Sequence, residues 1–191
     1  ALTSDDPFSW HGTHYNFTTV SVWPKANTSI PIYGSGNSEE SVEFAASRRL
    51  GIAFSFCPPE TVKKYVDLYH QRAAAAGWTP TAEHVIYRGL VYLGESDEQA
   101  RADMQAFFGA KAAAAAAAQT QQATMGGPQT TPLIFEPYFL GSAKTVIERF
   151  AVLRDCGVGI VDMGFTIGTH EQQISAMNRF AWDVMPTVKA W

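Results

Sequence analysis

Cysteine is almost absent from this chain: Cys57 and Cys156 stand far apart and in no CxxC spacing. That excludes a disulfide framework and a zinc ribbon as the organising principle, and it suits a reducing compartment, so a cytoplasmic location is expected. Basic clusters are missing as well. With 14 Lys and Arg against 18 Asp and Glu, the formal net charge is −4, which argues against a nucleic-acid surface and points to a small-molecule partner. No apolar run approaches the length needed to cross a bilayer, so no membrane association is expected. What remains is ordinary for one globular core: 191 residues, 46% hydrophobic and 17% charged.

The stretch that organises the rest is Pro31-Ile32-Tyr33-Gly34-Ser35-Gly36-Asn37-Ser38-Glu39-Glu40-Ser41. Ile30 to Tyr33 is a short apolar run of the kind that makes a buried strand, and Gly-Ser-Gly lets the backbone turn sharply. A helix begins at once, with Asn37 or Ser38 as N-cap, and Asn37 with Glu40 fitting a capping box. Such a junction leaves backbone N–H groups pointing outward under a favourable helix dipole, a place to hold phosphate. Most junctions of this composition carry Gly and Ser for turn and cap chemistry alone. The carboxylates of Glu39 and Glu40 would also have to point away from any anion.

The remaining chain alternates regularly. Residues 1–29 read as loop, with partial alternation from His14 to Val22 suggesting a short strand or ribbon; the chain is expected to begin in mid-fold. Ile52 to Cys57 reads as a second buried strand, stopped by Pro58-Pro59, followed by a helix with Val62, Tyr65, Val66 and Tyr69 on one face and Gly77 as its stop. His84 to Leu93 is a third strand, and Ser96 with Gln99 caps the next helix. Ala112 to Ala118 continues helix by propensity, and residues 119–137 read as an excursion, a lid or a disordered segment. Order resumes with Ser142 as N-cap of a helix bearing Val146, Phe150 and Leu153, Gly157 as stop, Val158 to Met163 as a fourth strand, and Thr169 with Gln172 capping a last helix with Ile174, Met177, Ala181 and Val184. Four strand-helix units imply a parallel sheet: half of a (β/α)8 barrel, or an open four-stranded sheet. In either, chemistry belongs at the strand C-terminal ends.

The run PIYGSGNSEESVEFAA resembles the fifth strand and following helix of the bacterial luciferase-like, flavin-dependent monooxygenases. GSAKTVIERFAVLRDCGVGIVDMGF is similar to that family's late helix and strand, EQQISAMNRFAWDVMPTVKAW to its closing helix, and the spacing from Trp10 to Pro24 also fits. The resemblance implies the second half of a (β/α)8 TIM barrel, strands five to eight, with the family's insertion at about residues 110–137. It further implies reduced FMN as cofactor, or a deazaflavin in related dehydrogenases and reductases. O2 and a small organic molecule would be the reactants, and a flavin reductase the source of reduced flavin.

The resemblance places the flavin phosphate on Asn37, Ser38 and Ser41 with backbone from Gly36. The isoalloxazine would lie against Ser55 and Phe56, and the substrate pocket would border Gly164 and Phe165. Bottom-up chemistry is compatible with this, since hydroxyls and amides at a helix N-terminus donate to phosphate oxygens. Stacking by Phe56 competes with simple core packing, as it does for Phe165. His11, His14, His70 and His170 have no carboxylate or cysteine at ligand spacing, so no metal is expected, and Cys57 reads as a buried apolar residue. No catalytic set is identifiable, because the family's acid/base histidines fall largely in the first half of the barrel. A half-barrel leaves two sheet edges and an inner face open, so a homo-oligomer or a partner half-barrel is expected, and a non-catalytic flavin-binding half-barrel is the rival reading.

Overall fold

The structure, a computed structural model, describes residues 4–124 and 138–191, and it divides into two compact units. The first, Ala1–Ile32, holds an antiparallel ribbon of β1 (Phe8–His11) and β2 (Asn16–Val20), with Phe8 opposite Val20 and His11 opposite Asn16. The Gly12 N–H donates to the Tyr15 carbonyl at 2.9 Å and closes the turn, while the rings of Tyr15 and Phe17 stack at 6.3 Å. The alternation from His14 to Val22 is thus one strand of a ribbon.

The second unit, Tyr33–Trp191, carries the alternating pattern. Its elements are β3 (Tyr33–Ser35), α1 (Glu39–Ser47), β4 (Gly51–Ser55), α2 (Pro59–Ala75), β5 (Val85–Leu93), α3 (Asp97–Thr124), β6 (Phe139–Gly141), α4 (Ala143–Asp155), β7 (Ile160–Gly164) and α5 (His170–Arg179). A π-helical turn over Phe180–Val184 then leads into α6 (Met185–Val188). All strand pairs are parallel: β3 with β4, β4 with β5, and β5 with both β6 and β7. This is the mixed α/β half-barrel that the alternation implied.

Several boundaries move. The first strand of this unit is Tyr33–Ser35, not Ile30 to Tyr33, and Ile30 and Ile32 are about half exposed. Pro58 is the N-cap of α2 and Pro59 its first residue, so the Pro-Pro pair starts a helix as well as ending a strand. Helix α3 runs on to Thr124, so residues 110–124 of the expected excursion are helical; the remainder, 125–137, lies outside the described residues. The three-residue strand β6 was not foreseen, because Phe139-Leu140-Gly141 is too short to show a period. The apolar face expected of the last helix is also rotated. Val184 is buried as expected, but Ile174, Met177 and Ala181 stay exposed, and Ala176 and Phe180 are buried in their place, Phe180 and Val184 within the wider π turn.

One continuous core forms where the strand residues facing the helices meet α1, α2, α4 and the C-terminal helices: Ile52, Phe54, Val85, Tyr87 and Val91 against Val42, Val62, Tyr69, Val146, Leu153 and Val184. Burial pushes the Tyr69 phenol up to about 12, and its hydroxyl donates to the Leu50 carbonyl at 2.5 Å. A smaller cluster of Tyr92, Ala100, Leu140 and Ile167 seats the start of α3 over the end of β5. Local signals set the joints. Ser38, Ser96, Ser142 and Thr169 each accept a backbone N–H three residues on, and Gly77 and Gly157 end α2 and α4 at φ +75° and +93°.

Asp97 ties two of these joints together. Its carboxylate accepts the Ser142 N–H at 2.7 Å and the Thr145 hydroxyl at 2.8 Å, and these hydrogen bonds, led by the backbone one, hold its pKa below the usual carboxylate value. Asp97→Ala is expected to cost about 0.5–2 kcal/mol at pH 7, read by urea denaturation. The folded-state pKa is depressed, so this contribution is present above the unfolded value near ~3.9 and lost as pH falls through the folded value. The wild-type and variant stabilities should therefore converge as the pH is lowered below about 4.

Candidate functional site

The C-terminal ends of β3, β4, β5 and β7 converge at one end of the sheet, and the β3–α1 turn is its most polar corner. Gly36 sits at φ +152°, and a Cβ there would lie 2.1 Å from the Ser41 Oγ, so only glycine fits. The Gly36 N–H donates to the Ala53 carbonyl at 3.3 Å, and the Asn37 amide donates to the Ser55 carbonyl at 3.2 Å, which pins the turn to the end of β4. Ser38 is the N-cap of α1. Its hydroxyl accepts the Ser41 N–H at 3.3 Å and lies 3.0 Å from the Ser41 hydroxyl. The expected capping box of Asn37 with Glu40 does not form, because the Asn37 side chain is spent on β4 and the cap passes to the next residue.

The donor set suits an anion. Two hydroxyls and the first N–H groups of α1 gather beside a position that a single Cβ would fill, and the dipole adds roughly 0.3–1 kcal/mol for a negative charge. Glu39 lies 3.7 Å from Lys64 of α2, an ion pair that offsets one of the two first-turn carboxylates.

Ser55 ends β4 and is half-buried, in register with Arg88 of β5. Phe56, next in the chain, takes φ +54°, uncommon for an aromatic residue, and its N–H donates to the Arg88 carbonyl at 3.2 Å. The residue is 49% exposed. It borders a cavity of about 400 Å³ with Cys57, Pro58, Glu60, Tyr87 and Tyr138. The Tyr87 hydroxyl donates to the Cys57 carbonyl at 3.0 Å; burial pushes the Cys57 thiol up, which keeps it protonated and inert. At the other edge Gly164 ends β7 beside Leu90, and Phe165 packs edge-on against Phe180 at 5.7 Å. The structure therefore brings Gly36, Asn37, Ser38, Ser41, Ser55 and Phe56 into one corner and sets Gly164 and Phe165 two strands away.

Sequence reasoning missed Arg88 and Asp162. They face each other at 3.6 Å on the side of the sheet opposite the main core, in register across β5 and β7. Each is the single charge in an otherwise uncharged strand, VIYRGLVYL and IVDMG, and that interruption was the available signal. Among the described residues no group of three or more His, Cys, Asp or Glu is placed to hold a metal.

Comparison with known proteins adds an independent line. The family described as luciferase-like monooxygenase matches residues 1–159. Among solved structures, the chain is similar to monooxygenase RslO1 from Streptomyces bottropensis, with 22% identity and a TM-score of 0.69 over 98% of this chain and 57% of that one. It is similar to the oxygenating constituent of 3,6-diketocamphane monooxygenase from Pseudomonas putida, in complex with FMN, at 15% identity and a TM-score of 0.61 over 95% and 58%. It is also similar to the coenzyme F420-dependent tetrahydromethanopterin reductase from Methanopyrus kandleri, at 17% identity and a TM-score of 0.61 over 93% and 57%. The chain thus spans somewhat more than half the length of these relatives. No curated protein matches it.

Because the turn depends on a missing side chain, Gly36→Ala should strain it by about 1–3 kcal/mol and lower the urea midpoint. Ser38→Ala should cost about 1 kcal/mol as a lost N-cap, whereas Ser41→Ala, which leaves the cap acceptor in place, should cost less than half of that.

Proposed function

As this chain belongs to the luciferase-like monooxygenase family, we propose that it is the C-terminal half of a flavin-dependent monooxygenase, in which reduced FMN and O2 oxidise a small organic substrate. The observation that carries this reading is the turn from Gly36 to Ser41: a glycine that no other residue can replace, two hydroxyls 3.0 Å apart and a helix N-terminus, together a fit for a phosphate monoester. Bound there, the flavin supplies the redox chemistry with oxygen. The chain's own residues bind and orient it. Ser38 and Ser41 donate to phosphate oxygens, Gly36 lets them approach, and Asn37 fixes the turn against β4. Phe56, half exposed at the end of β4, offers an aromatic face for a planar ring and helps keep water from it.

A second reading is hydride transfer with a deazaflavin, favoured by the likeness to F420-dependent enzymes at comparable TM-scores. Both cofactors present a phosphate to the same turn, so parallel titrations with FMN and F420 discriminate them: tighter binding of F420 by tenfold or more would replace the first reading with the second. Equal failure of both would leave a scaffold without a flavin.

Ser38→Asp is expected to weaken FMN binding at least tenfold, on the order of 1.4 kcal/mol, by setting a carboxylate against the phosphate; an unchanged titration would remove Ser38 from the site. The edges of β3 and β7 and the uncovered sheet face also call for a second half, from another copy or a partner chain. Gel filtration of the isolated chain should give an associated species, and a sharp monomer peak near 21 kDa with a cooperative melt would oppose this.

A further inference from the structure

The alternation of burial along β5 separates two faces. Val85, Tyr87, Val91 and Leu93 are buried in the main core; on the other face Arg88 is exposed, Ile86 and Leu90 are half-buried, and Tyr92 is buried beneath the start of α3. β7 repeats this with Ile160 and Asp162, and β4 with Ala53 and Ser55. The register aligns Ser55, Arg88 and Asp162 in one row across three strands, and the amide of Asn37 extends the row to the β3–α1 turn through the Ser55 carbonyl. Ser55 is the last residue of β4, so the row lies at the level of the site, and Arg88 sits two strands, about 10 Å, from the strand that ends in the phosphate-holding turn.

A barrel interior is ordinarily filled by branched apolar side chains, and Ile86, Leu90 and Ile160 line this face around the pair, so a charged pair is out of place there. Stability does not explain the pair either. Both side chains are more than half exposed, a single guanidinium nitrogen approaches Asp162 at 3.6 Å, and among the described residues the Arg88 side chain makes no hydrogen bond, so the ion pair contributes little. What the arrangement does hold is a planar fork of N–H donors, one nitrogen of it 3.6 Å from a carboxylate and none hydrogen-bonded among the described residues, and so available to a second carboxylate. We propose that Arg88, with Asp162 as its competing partner, is a specificity determinant on this face of the sheet and selects organic substrates that carry a carboxylate. This rests on the flavin-enzyme reading only for calling the bound molecule a substrate.

The test is calorimetric titration of the full chain with benzoate and with benzamide, its uncharged counterpart, run beside a separate FMN titration. Benzoate should bind at least tenfold more tightly than benzamide. Arg88→Gln should lose benzoate by at least tenfold with FMN affinity unchanged, and Asp162→Asn, which removes the competing carboxylate, should bind benzoate at least threefold more tightly than wild type. That gain cannot come from misfolding. Absence of benzoate binding, equal binding of benzamide, wild-type affinity in Arg88→Gln or no gain in Asp162→Asn would each overturn the proposal. Failure of FMN to bind while benzoate behaves as expected would overturn the flavin reading and leave the carboxylate site standing.

Discussion

Everything in the larger unit hangs on the ladder of hydrogen bonds along β5. It is the longest strand, it pairs with β4 along one edge, and it also carries β7 and the short β6. A parallel strand has to be covered on both faces to be stable in water; one face of β5 is sealed along its length, while the other is covered among the described residues only near its end, where α3 packs on Leu90 and Tyr92. Gly89 shows how tight the sealed face is: a Cβ there would come 3.0 Å from the Phe139 ring and 3.1 Å from that of Tyr87. The aromatic stack of Tyr87, Phe139 and Phe150 closes over the glycine and couples β5, β6 and α4 in one packed layer.

The other half of the design is the repeated use of a hydroxyl at each helix start that follows a strand. Ser38, Ser96, Ser142 and Thr169 satisfy orphan N–H groups within the chain itself. At two of these starts a second hydroxyl stands beside the cap and a glycine of positive φ precedes it: Ser41 with Gly36 at α1, and Thr145 with Gly141 at α4, where the Asp97 carboxylate accepts from the Ser142 N–H and the Thr145 hydroxyl. The two differ in what the donors meet: at α4 the chain's own carboxylate takes them, whereas at α1 no carboxylate among the described residues is hydrogen-bonded to Ser38 or Ser41.

That distinction explains what could be read in advance. Caps and stops were legible residue by residue, since Ser142, Thr169, Gly77 and Gly157 act through bonds spanning three or four residues. The four-fold alternation was legible because each strand is a compact apolar run. Strand ends were not, because whether Ile30 and Ile32 pair or stay exposed depends on partners distant in sequence. The preference for Ser38 over Asn37 as cap was set by a carbonyl on β4 that no local pattern predicts. Arg88 was passed over for a related reason: its meaning comes from its register with Ser55 and Asp162, and register is a property of the sheet, not of the strand.

The clasp formed by Asp97 with Ser142 and Thr145 reaches further than a helix cap. It brings together two points 45 residues apart in sequence, one at the first turn of α3 and one at the first turn of α4. Both ends of the intervening segment are built into the scaffold, Ala100, Met104 and Phe107 in the smaller core cluster and Phe139–Gly141 paired with β5, so a change of chain length between those ends would enter the free energy mainly through the logarithm of loop size. The clasp is in effect a socket: between Phe107 and Phe139 sequence could be exchanged, lengthened or replaced by another folded module while the strands, β6 included, keep their register.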